Sequence, residues 1–162
     1  MSIEAVRQYL KEYGRDQDIL EFPVSSATVE LAAQAAGVIP ARITKTLSFR
    51  HEDGCVLIAA AGDAKVDNAK FKAQFGHKAS MLSPEDALRL TGHAVGGVCP
   101  FAVGPKAEVF LDVSLRRFQT VFPACGSSNS AIEISPEDLF KISHAKAWID
   151  VCKNWRQDTE GE

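Results

Sequence analysis

The residues best placed to do chemistry in this 162-residue chain lie in Thr91-Gly92-His93-Ala94-Val95-Gly96-Gly97-Val98-Cys99-Pro100-Phe101. Glycines let a backbone approach a ligand closely and turn successive N–H groups toward an anion or a carbonyl oxygen. An oxyanion site is one reading of the segment, and a tight turn between a helix and a strand is the other. It is neither a Walker phosphate loop, since no Gly-Lys-Ser/Thr follows, nor the dinucleotide fingerprint. Lys45 is the second candidate. It alternates with Ile43, Leu47 and Phe49, and a lysine on that apolar side is costly unless it reaches a cleft or a partner; rotated outward, it is an ordinary solvated lysine. Asp112, after three apolar residues at a strand end, can orient a substrate amine or cap a turn. His51, His77, His93 and His144 lack the i, i+4 spacing of metal ligands, so no metal is expected. A cysteine–histidine pair, Cys99 or Cys125 with His93, is a further nucleophilic arrangement, against which stands the commoner role of a buried cysteine as a small apolar side chain. Arg42, Lys45, Arg50, Lys65, Lys70, Lys72, Arg116 and Arg117 would make a phosphate-binding rim if the fold gathers them.

The elements that must position these groups follow from periodicity and punctuation. Ile3, Val6, Leu10 and Tyr13 recur at helical spacing ahead of Gly14, and Ser25, Ser26 or Thr28 caps a second helix from Val29 to Ala36, ended by Gly37. Thr44 to Phe49 alternates like a strand, and Cys55 to Ala61 is apolar throughout, as in a strand buried on both faces, with Glu52-Asp53-Gly54 as the hairpin turn. A helix over Asp67 to Phe75 is closed by Gly76. Ser83-Pro84-Glu85-Asp86 combines a capping hydroxyl, a first-turn proline and a carboxylate reaching back, and the same four residues recur as Ser135-Pro136-Glu137-Asp138. Val109 to Asp112, Thr120 to Phe122 and Ala131 to Ile134 read as strands, the last two joined by the small residues Cys125 to Ser130. The sheet is expected to be mixed or mostly antiparallel. A last helix from His144 to Trp155 and a fraying tail from Arg156 to Glu162 complete the reading.

Composition narrows the class. Hydrophobic residues at 46% and charged residues at 24% fit an ordinary folded domain, and no segment approaches the roughly 20 apolar residues of a membrane span. One domain over 1–162 is expected, with its core at about 20–142, and a cytoplasmic location. Four isolated cysteines imply free thiols. With a net charge of −3, binding to a polyanion must use a local positive cluster.

In their order along the chain, Thr28-Val29-Glu30, Ala35-Ala36-Gly37-Val38, Ile43-Thr44-Lys45-Thr46-Leu47, Gly62-Asp63, the Thr91 to Phe101 loop, Leu111-Asp112, Ile132-Glu133-Ile134 and Asp138-Leu139 resemble the YbaK/ProX (YbaK/EbsC) family. These are aminoacyl-tRNA deacylases related to the editing domain of bacterial prolyl-tRNA synthetases. The resemblance implies an α/β (α+β) domain with a mixed, curved sheet flanked by helices, a pocket for the aminoacyl-adenosine end of a misacylated tRNA, and action either alone or docked on prolyl-tRNA synthetase as a further partner. It implies that Lys45 and Gly96 act on the ester, with Thr28, Thr46, His93, Gly97, Pro100, Asp112 and Ser127 around the substrate. Neither a cofactor, DNA nor a membrane is expected. Water would attack while loop amides hold the developing charge. Two departures stand out: some cysteine-clearing relatives carry a serine and an aspartate where Ala124 and Ala131 lie here. The rival readings are a non-catalytic tRNA- or synthetase-binding module and a cysteine-dependent hydrolase of small esters.

Overall fold

Each helix begins and ends where local chemistry dictates. In the computed structural model, which describes residues 2–156, α1 spans Ser2–Lys11 and α2 spans Val29–Ala36. Thr28 Oγ1 accepts the Leu31 N–H, and Gly37 closes α2 in the left-handed conformation. The pattern repeats in α3 (Asn68–Phe75, capped by Asp67, closed by Gly76) and in α4 (Pro84–Thr91, capped by Ser83, closed by Gly92). Ser135 caps α5, Pro136–Ile142. The repeated Ser-Pro-Glu-Asp motif thus starts a helix twice, each serine accepting the N–H three residues on. The expected back-reaching carboxylate is engaged elsewhere: Asp86 binds Arg50 at 2.7 Å and Arg89 at 3.0 Å.

Among the described residues the strands are, in chain order, β1 (Ile19–Glu21), β2 (Ile43–His51), β3 (Gly54–Ala61), β4 (Lys65–Val66), β5 (Ala107–Asp112), β6 (Phe122–Pro123), β7 (Ser130–Ile132), β8 (Trp148–Ile149) and β9 (Cys152–Lys153). The main sheet runs β6-β2-β3-β5-β8, while β1 pairs with β7 and β4 with β9. All eight residues of β3 are buried, which its unbroken apolar run requires. Around β3 gathers a core that includes Val6, Leu10, Phe71, Phe101, Leu111, Leu115, Ile132 and Leu139.

The expected mixed sheet is present, its mostly antiparallel alternative is not, and the expected last helix is corrected. The sheet is mixed, but only β2–β3 is antiparallel; β2–β6, β3–β5 and β5–β8 are parallel. A parallel pair needs a crossover, and the stretch carrying α3 and α4 supplies one between β3 and β5. The expected last helix over His144 to Trp155 is replaced by β8 and β9. His144 takes a φ of +55° just past α5, after which Trp148 and Ile149 cover the free edge of β5 and Cys152 pairs with Val66 of β4. Completing an open sheet edge outweighed a weak helical pattern. The expectation for the tail falls on residues 157–162, outside those described.

Candidate active site

β2 builds one wall of a cavity of about 250 Å³. Facing it are the first turn of α2 (Thr28, Val29, Ala32), the glycine loop (Val95, Gly96, Val98), Met81 with Leu82, and Phe122, Ala124, Ser130 and Ala131. Sites for drug-sized ligands run to roughly 300–1,000 Å³, so this one has room for a small group rather than a whole nucleoside.

Of the residues picked out from the sequence, Lys45, Gly96, Thr28 and Thr46 line this cavity. Lys45 is half-buried and makes no ion pair with any described residue. Burial lowers its pKa from the ordinary 10.5, while the nearby Cys152, Asp63 and Glu30 oppose that shift and Lys65 adds to it. Gly96 holds a φ of +94°, and a side chain there would meet only Ala27 and Ser128 at van der Waals distance. Gly97 lies behind it: a Cβ would fall 2.8 Å from Gly126 C and 2.9 Å from Ser127 N, so two loops touch backbone to backbone. Ser127 is not in the wall but orders it, donating within the 126–130 turn to Asn129 Oδ1 or to Ser130 Oγ, at 2.9 and 2.8 Å. Ser26 N donates to Ser128 O, fixing the approach to α2 against the same turn.

The structure places the other three away from the cavity. Pro100 borders a different surface depression, with Tyr9, Ala102 and His144. Asp112 is fully buried, its carboxylate accepting the Ser114 and Val151 N–H groups at 2.9 Å each, so it performs the turn-capping alternative. His93 is 1% exposed; its Nε2–H donates to Phe101 O at 2.7 Å, and its main chain is held by Thr91 Oγ1. The ring therefore clamps the two ends of the glycine loop from beneath. Its Nδ1 has no hydrogen-bond partner among the described residues.

Burial depresses the pKa of His93 from 6.5, against the bond to Phe101, which raises it. The unfolded chain then binds the proton more readily than the folded one, so stability is complete above about pH 6.5 and declines as pH falls toward the depressed value. We expect the melting temperature to drop on acidification through this window. His93→Gln, whose amide can still donate to Phe101 O, should show a shallower drop; an unchanged slope would place the acid sensitivity elsewhere.

The cysteine–histidine alternative is met in distance but not in chemistry. Cys99 Sγ lies 3.6 Å from His93 Nε2, yet that nitrogen already donates to Phe101 O and cannot take the thiol proton. Burial pushes the Cys99 thiol up to about 12 and the Cys125 thiol well above its usual range. Half of the expected basic rim is paired instead: Arg42 with Glu133, Arg50 with Asp86, Lys70 with Asp150, and Arg117 with Asp63. Among the described residues, no three metal-ligating side chains converge.

Sequence reasoning missed Thr44, Ser26, Met81, Val95 and Ser130 as wall residues. A signal was present in β2, where Thr44, Thr46 and Ser48 put a hydroxyl at every second position. Thr44 Oγ1 and Thr46 Oγ1 are buried without a hydrogen-bond partner among the described residues.

Residues 24–142 match the aminoacyl-tRNA editing domain. The chain belongs to that family. It is 58% identical over 156 residues to the uncharacterized protein YwhH of Bacillus subtilis (strain 168), covering 96% of this chain and 99% of that one. It is 31% identical over 139 residues to the proline–tRNA ligase of Thermosipho melanesiensis, covering 85% of this chain but only 24% of the synthetase. A crystal structure described as a candidate trans-editing enzyme for prolyl tRNA synthetase superposes with a TM-score of 0.85 at 28% identity, over 94% of this chain and 98% of that one. Mapped onto this editing domain, the two departures Ala124 and Ala131 both line the cavity, where they keep the wall short and apolar.

Proposed function

We propose that the protein is a trans-editing hydrolase that removes a small wrong amino acid, such as alanine, cysteine or serine, from proline tRNA in the cytoplasm, either alone or docked on prolyl-tRNA synthetase. The observation that carries this reading is a cavity of about 250 Å³ whose walls include the half-buried Lys45, the backbone of Gly96 and two threonine hydroxyls with no hydrogen-bond partner among the described residues. Membership of the editing family supports it. Lys45 holds the terminal nucleotide at the mouth, the short acyl group enters, and water attacks the ester carbonyl while main-chain donors receive the developing negative charge. The tetrahedral intermediate then expels the ribose hydroxyl, releasing free amino acid and tRNA. The reading needs no metal and no thiol.

The test is deacylation of proline tRNA charged with alanine, cysteine, serine or proline. Fast release of one wrong amino acid, with prolyl-tRNA spared, is expected; no release from any member favours the binding-module reading. Cys99→Ala/Cys125→Ala should keep activity within about threefold while losing stability, because each removes a buried apolar group. Abolished turnover in a folded double variant would restore the thiol mechanism.

A further inference from the structure

The hydrogen-bond register of β2 leaves a gap one residue long in the edge of the main sheet, and the gap opens into the cavity. In the β2–β3 pair, His51 faces Gly54 across a two-residue turn, and Gly62 N donates to Ile43 O, so the odd-numbered residues of β2 direct their N–H and C=O toward β3. The even-numbered ones point the other way. Three contacts agree: Ser48 O accepts from Leu82 N, Arg50 N donates to Ser80 O, and Thr44 pairs with Pro123 of β6. Between Thr44 and Ser48, about 13 Å apart along an extended strand, Thr46 is the only outward-pointing residue. Its N–H and C=O have no partner on that side among the described residues. Unpaired main-chain groups inside a wall are costly unless something meets them.

The geometry points to the main chain of Thr46 as the element that recognises the α-amino acid part of the substrate: its C=O accepts from the α-ammonium, and its N–H donates to the carbonyl oxygen of the scissile ester. This inference rests on the proposal that the cavity receives an aminoacyl group. A single amino acid ester offers one donor and one acceptor, disposed as in one residue of an antiparallel strand, and a directly opposed pair exchanges both bonds. The substrate thus completes the sheet edge that β6 leaves at one end and Met81, bridged to Phe49, leaves at the other. The contact reads what all α-amino acids share, leaving their differences to the surrounding side chains. In hydrolysis the same N–H faces the oxygen on which negative charge develops, beside the glycine loop.

The experiment compares binding of 3′-(L-alanylamino)-3′-deoxyadenosine with its 3′-propionylamino counterpart, which keeps the carbonyl and lacks the amine; neither has an ester to hydrolyse. The alanyl compound is expected to bind at least tenfold more tightly at neutral pH and to slow hydrogen exchange at the Thr46 amide. Loss of the preference in a folded Thr46→Val would assign recognition to the side chain and overturn the inference. Thr46→Pro, checked for folding by circular dichroism, should weaken binding of both compounds, because it lacks the N–H that meets their common carbonyl. Equal affinities, no binding of either compound, or unaltered Thr46 exchange would overturn the inference without any variant. A tenfold preference in a protein that deacylates no tRNA would sink the hydrolase reading and leave this inference standing. Deacylation without the preference would do the reverse.

Discussion

Lys45→Ala is expected to lower kcat/KM for deacylation by about 10- to 150-fold without lowering the melting temperature. The size follows from losing one hydrogen bond to a charged group, roughly 1.5–3 kcal/mol, at 1.36 kcal/mol per decade of rate. The lack of a stability cost follows from the setting of the charge. Lys45 is partly desolvated, and no ion pair with a described residue compensates it, so its depressed pKa means that the unfolded chain binds the proton more tightly. At neutral pH the charge therefore opposes folding, and that penalty fades as pH rises toward the ordinary lysine value. Lys45→Met, which keeps the apolar stem, should melt at or above the native temperature and be as inactive as the alanine variant. Binding of a terminal-nucleotide analogue should weaken with rising pH before an exposed lysine would titrate, and Lys45→Arg should remove that limb. Melting and turnover measured on the same preparations decide the matter: full activity in Lys45→Met would remove Lys45 from the chemistry, and parallel loss of both would make it a packing residue.

Gly97→Ala carries the second large effect, by a different route. The added methyl would sit 2.8 to 2.9 Å from Gly126 C, Gly126 O and Ser127 N, all main-chain atoms that cannot swing aside. The glycine loop and the 126–130 turn must separate, at about 1 to 3 kcal/mol for overpacking. Because these loops carry Gly96 and Ser130, both in the cavity wall, turnover should fall by about 100-fold, as a displacement near 1 Å can cause. Gly96→Ala is the informative companion. Its methyl has room, so the penalty is only backbone strain at a φ of +94°, about 1 kcal/mol. Chemical denaturation beside deacylation rates separates the two; an unperturbed Gly97→Ala would mean that the loops do not need their close contact.

Why Asp112 and His93 were legible as polar residues but not in their roles is a matter of distance along the chain. A carboxylate at a strand end looks the same whether it meets a ligand or the amide of Val151, 39 residues away. His93 sits in a glycine-rich loop in either case, and only the position of Phe101 O decides that its ring faces inward. Lys45 was legible as one of two alternatives, a lysine in a cleft or an ordinary solvated one, and only the neighbours of β2 put it in the cavity wall.

What the sequence determined by itself is local. The capping serines Ser83 and Ser135, the helix-closing Gly37 and Gly76, and the wholly apolar β3 all act within a few residues, so they can be read without knowing the neighbours. The order of the motifs likewise sufficed for the family. What only the tertiary structure decided is pairing: the parallel β6, β5 and β8, the conversion of the stretch after His144 into strands, and the outer edge of β2 at Thr46, whose main chain meets no partner there among the described residues. These depend on hydrogen bonds between segments far apart in the chain, and a strand carries no mark of which edge will be filled until its neighbours arrive.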